Sequence, residues 1–90
     1  MDFETYNKIE YVRINFPRSE TYEEYEKMID TDDDELFDTC IDSLRSFSNV
    51  ENAYAISQKT KLKHRIEQRL NTADNVSKAI YGAFMDRFFG

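Results

Sequence analysis

The chain has 90 residues, 40% of them hydrophobic and 33% charged, with 18 acidic residues against 12 Lys and Arg and a formal net charge of -6. That length leaves room for one core and predicts a single domain over residues 1–90. Six Tyr and seven Phe, beside only two Gly and one Pro, exclude a disordered chain, and the length excludes the large cofactor-binding architectures.

The charge is divided along the chain. Residues 1–50 carry 14 acids and 5 bases, a net of -9, whereas residues 51–90 carry 4 acids and 7 bases, a net of +3. The halves are expected to attract each other, within one chain or between copies, or to meet different partners. Met1 to Lys8 lack the basic and apolar stretches of a signal peptide. No run approaches the ~18 apolar residues of a membrane span, so a soluble cytoplasmic protein with no membrane partner is expected.

The first element falls before Pro17. Residues 9–16 are rich in β-branched and aromatic side chains and set Ile14 and Phe16 two apart, which predicts a short N-terminal β-strand. The chain offers no second convincing strand, Ala53 to Ser57 being the weakest candidate, so this one pairs with a copy of itself or with a partner, or is helical after all. Thr21 and Glu24 then have the spacing of a capping box, in which hydroxyl and carboxylate satisfy free amides, and open a helix over about 20–29 that buries Tyr22, Tyr25 and Met28 or Ile29.

The clearest pattern lies between Asp33 and Phe47, where Leu36, Phe37, Cys40, Ile41, Leu44 and Phe47 recur at three and four. That is the apolar stripe of an amphipathic helix, begun by the carboxylates of Asp32, Asp33 and Asp34. A third helix over 50–70 follows, capped by Ser48 or Asn49. Its apolar residues fall on two faces, Val50, Ala53 and Tyr54 on one and Ala55, Leu62, Ile66 and Leu70 on the other, so it breaks near Gln58 to Thr60 or packs differently at its ends. The last helix starts at Asn71 or Thr72, ends near residue 88, and sets Ala73, Val76, Ile80, Ala83 or Phe84, and Phe88 on one face. The fold class is therefore a mainly α, small compact domain of about four helices with one short N-terminal strand.

Chemistry-bearing motifs are few. Asp30-Thr31-Asp32-Asp33-Asp34 imitates the start of a calcium loop, but Glu35 stands where the loop needs Gly and Ile41 where it needs a bidentate Glu. No Gly-rich phosphate loop or nucleophile elbow occurs, and the single Cys40 and single His64 lie 24 residues apart. No enzyme, no cofactor and no metal site is expected. Cys40 reads as an inert core thiol.

Asp34, Asp38 and Asp42 repeat every four residues opposite the apolar stripe, with Glu35 beside them. Carboxylates stepped ~6 Å along a helix make a line of anions much as a phosphate backbone does, and Glu23, Glu24 and Asp30 on the preceding helix widen it. This predicts an acidic binding protein that inhibits or regulates a macromolecular partner by occupying its basic, nucleic-acid-binding surface, as small proteins of phages and mobile elements often do. The alternative is a DNA- or RNA-binding regulator using Lys59, Lys61, Lys63, His64, Arg65 and Arg69, although helical spacing scatters these bases. Finally, Ala79, Gly82 and Ala83 are small enough for close helix approach, and Phe84, Phe88 and Phe89 exceed one stripe, which predicts a homodimer with those three rings in its contact.

Overall fold

Six α-helices make up the regular structure of the described residues: α1 (Phe3–Asn15), α2 (Tyr22–Ile29), α3 (Asp34–Arg45), α4 (Val50–Lys59), α5 (Leu62–Arg69) and α6 (Asn75–Phe88). The computed structural model describes residues 2–15, 22–47 and 49–89, with the side chains of α2 described from Tyr25 onward. No strand occurs among these residues. The Cα radius of gyration, 12.1 Å, equals that of one close-packed unit of this length.

Short polar residues set the helix starts. Asp2, Asp33, Asn49 and Asp74 each accept, through a side-chain oxygen, from the backbone N–H three residues on, at 2.7, 2.9, 3.0 and 2.8 Å. Each satisfies an amide that the helix itself leaves unpaired, an effect of about 1 kcal/mol per cap. Of the three aspartates expected to begin α3, Asp33 is the one that caps it, and Asp34 is already in its first turn.

α3 is the central helix, packing against α1, α2 and α6. Leu36, Phe37, Cys40, Ile41 and Leu44 are all buried along it, and Phe47 is buried just beyond its end. Removing each of the larger ones from water contributes roughly 1.5–3 kcal/mol. They join Ile9 and Val12 of α1, Tyr25 and Ile29 of α2, Ala53 and Ile56 of α4, Leu62 and Ile66 of α5, and Tyr81, Phe84 and Phe88 of α6 in one core. Cys40 has no exposed surface, and burial pushes its thiol up to about 12.

The N-terminal strand and the number of helices need correction. The strand expected over 9–16 is the second part of α1, with Phe16 outside the described residues. Ile9 and Val12, three apart, dock on one helical face, while Ile14, which suggested a period of two, is 65% exposed. The helix expected over 50–70 breaks, as one of its two readings had it, where Lys61 adopts a left-handed conformation (φ 56°, ψ 41°) between the end of α4 and the start of α5. The conflict between the two apolar faces is resolved there. With α1 added, the expected four helices become six.

α6 keeps Phe84 and Phe88 of its expected face in the core and packs Ile80, with Ala73 just before the helix, against it, and it departs from expectation at Val76, Ser77 and Tyr81. Ser77, Tyr81, Phe84 and Phe88 point inward, while Val76 is 70% exposed. Phe84 and Phe88, expected at a subunit contact, belong to the core instead, with ring centroids 4.9 Å apart. Phe89 is partly buried against Tyr54 and Phe84, at 5.7 and 6.1 Å. Gly82 faces open space, so the small residues of this helix do not serve a close approach at that position.

Candidate functional site

α3 turns its apolar stripe to the core and leaves Glu35, Asp38, Thr39 and Asp42 on a polar flank, because positions three and four apart share a helix side. α6 lies alongside α3 and brings Asp74, Ser77 and Ile80 to that flank. Between them runs a groove of about 390 Å³, lined by the carboxylates of Glu35, Asp38, Asp42 and Asp74, the hydroxyl residues Thr39, Ser43, Ser46 and Ser77, and the Arg13 side chain of α1. Four carboxylates and one guanidinium in a concave, half-desolvated setting produce a locally negative potential.

Asp38 anchors the groove floor. Its Oδ2 accepts from the Ser77 hydroxyl at 2.5 Å, and its Oδ1 accepts from the Tyr81 hydroxyl. Burial first, and then this bond to Asp38, raise the Tyr81 hydroxyl above the ordinary tyrosine range, so Tyr81 stays a donor. The Ser77 amide donates to Asp74, and that bond is the main cause holding the Asp74 carboxyl below the usual range. Ser77 therefore joins two carboxylates, one through each of its donors.

The remaining acids of the row have different partners. Asp34 pairs with Arg69 of α5, whose guanidinium lies 4.2 Å from the Phe37 ring centroid. Arg65 lies 4.7 Å from the same ring and donates to the carbonyls of Ile29 and Thr31 at 2.8 and 3.2 Å. Asp42 pairs with Arg45 at 2.5 Å, with both side chains about half exposed. Glu35 is exposed at the groove mouth. Arg87 of α6 donates to the carbonyls of Arg45 and Phe47, where the α3 carbonyls run out of helical partners.

No family model, curated protein or solved structure matches this chain. The residues themselves must therefore carry the reading. Of the expected acidic surface, Glu35, Asp38 and Asp42 meet in the groove, while Asp34 faces α5. Asp30 is exposed beside a separate depression with Glu26, Lys59 and Lys61, and the side chains of Glu23 and Glu24 lie outside the described residues, as does Thr21 of the expected capping box.

The basic stretch is partly engaged within the chain. Lys59 pairs with Glu26 at 2.9 Å, Arg65 and Arg69 stack on Phe37, and the Lys63 ammonium stands 5.6 Å from the Phe89 centroid. His64 and Lys61 are exposed. Among the described residues no group of three or more His, Cys, Asp or Glu is placed to hold a metal ion, and no helix is long and apolar enough to cross a membrane. What sequence reasoning missed were Arg13, Asp74, Ser77 and Tyr81. The i, i+4 spacing of Ser77 and Tyr81 was a visible signal, overridden by the apolar Val76 and Ile80.

Proposed function

We propose that this protein is a non-enzymatic acidic binding module that inhibits or regulates a macromolecular partner by occupying its basic surface, with the α3/α6 groove as the contact. The supporting observation is the convergence of Glu35, Asp38, Asp42 and Asp74 on one groove with Arg13 as the lining cation. Asp38 is immobilised by two hydroxyl donors, whereas Glu35 and Asp42 reach solvent. A Lys or Arg side chain of a partner entering the groove would exchange Arg45 for itself at Asp42 and add a charge-assisted bond at Glu35. A small acidic chain that covers a nucleic-acid-binding surface in this way suits an inhibitor of the kind phages and mobile elements encode.

The test is a titration with a ten-residue Lys/Arg-rich peptide, followed by amide chemical shifts at about 50 mM salt, where exposed charges are only partly screened. Shifts should centre on Glu35, Thr39 and Asp42 of α3 and on Asp74 and Ser77 of α6, and a Glu35→Gln/Asp42→Asn variant should lose most of the response. Shifts confined to other helices, or none, would overturn the reading. Gel shifts with DNA and RNA at the same salt examine the alternative, in which the basic segment 59–69 contacts nucleic acid. The engagement of Lys59, Arg65 and Arg69 inside the chain weighs against it.

A further inference from the structure

α1 has two apolar faces, and the core uses one. Ile9 and Val12 are buried, whereas Phe3, Tyr6, Tyr11 and Ile14 are 78%, 52%, 41% and 65% exposed. At about 100° per residue, Phe3 and Ile14 fall on the same line opposite Val12, with Tyr6 on one flank and Tyr11 on the other. A large aromatic side chain has roughly 200 Å² to bury, so these four exposed fractions amount to about 500 Å² per copy. Two such faces together reach roughly 1,000 Å², the lower bound for a specific interface. Exposed apolar area of this size lies in the range of the largest patches on monomers, which are often functional.

We propose that this face joins two copies of the chain, their α1 helices packed antiparallel about a two-fold axis. In that register Phe3 meets Ile14 of the second copy at each end, and Asn7 meets Glu10 of the second copy near the centre. Tyr11 lies over the Glu4 and Lys8 of the second copy, and Tyr6 over its Glu10 and Arg13. Both sets are already ion pairs within α1, at 3.4 and 3.0 Å, so each carboxylate that the contact covers keeps its own cation. A shallow groove of about 440 Å³ beside Tyr11, floored by Met28 of α2, extends the surface.

Sedimentation velocity and native mass spectrometry from about 1 to 100 μM read the assembly. The parent is expected to dimerise with a micromolar constant, and Phe3→Lys and Ile14→Glu should each weaken it more than tenfold. Mixing the two variants should restore a dimer, because the antiparallel register sets the introduced ammonium opposite the introduced carboxylate at one end and leaves Phe3 on Ile14 at the other. Unchanged circular dichroism, and a melting temperature equal to that of the parent at concentrations below the dimer constant, where both are monomers, separate dissociation from unfolding. A parent monomeric at 100 μM, a dimer indifferent to both substitutions, or a mixture that does not reassociate overturns the proposal.

Discussion

Asp38→Ala should lower stability by about 2 kcal/mol, although it removes one charge from a row of like charges. The relief from Asp34 and Asp42 four residues away is worth only a few tenths of a kcal/mol per pair, and the gain in helix propensity about half a kcal/mol. Against that stand two hydroxyl donors, on Ser77 and Tyr81, both on residues with little exposed surface and both bonded to the lost carboxylate. Hydrogen bonds to a charged acceptor contribute about 1.5–3 kcal/mol each, and water entering the groove offsets part of the loss. For a domain of this size 2 kcal/mol corresponds to a fall in Tm of roughly 10 °C. Urea unfolding followed by circular dichroism measures it, with an unchanged m-value showing that the unfolded state is unaffected. Asp38→Asn keeps one acceptor and should fall between parent and Ala variant. A melting temperature equal to or above that of the parent in Asp38→Ala would refute the reasoning and return Asp38 to a solvated face.

Three further outcomes are expected. Lys61→Gly should raise stability by about 0.5–1 kcal/mol, since an exposed residue held at φ 56° bears the left-handed cost that Gly avoids; a lower urea midpoint would contradict this. Cys40, fully buried with its thiol pushed up to about 12, should react with Ellman's reagent at pH 8 only as fast as the protein unfolds, and immediate labelling of folded protein would show the packing to be wrong. Burial raises the Tyr25, Tyr81 and Cys40 groups, so the folded chain keeps protons that the unfolded chain releases. Their contribution is complete below about pH 8 and declines as pH rises past the ordinary thiol and then phenol ranges, where only the unfolded chain releases these protons, so the urea midpoint should fall between pH 8.5 and 11, whereas a flat profile would count against it.

α3 was legible residue by residue, because six apolar positions at three-and-four spacing and an aspartate cap leave one face free to be core. The break near Gln58 to Thr60 was legible too, from two apolar faces that one straight helix cannot bury together. α1 was not: its apolar residues surround the helix, so local pattern favours no face, and β-branched residues weighted the reading toward a strand. Only docking of Ile9 and Val12 on α3 decides it.

The polar groove divides along the same line. The row of acids on α3 follows from spacing alone, because a helix fixes which side chains share a side. Which of those acids meets a partner depends on the rotation of α6, and that is set by long-range terms. Tyr81 buries a large ring against Phe37, 6.2 Å between centroids, while its hydroxyl reaches Asp38, a gain that Val76 in the same place would not supply. The sequence by itself determined the helical class, the caps of α3 and α4 and the charge division. The tertiary structure decided which charges are spent inside the chain, since a carboxylate and a hydroxyl 43 residues apart meet only after two helices have packed.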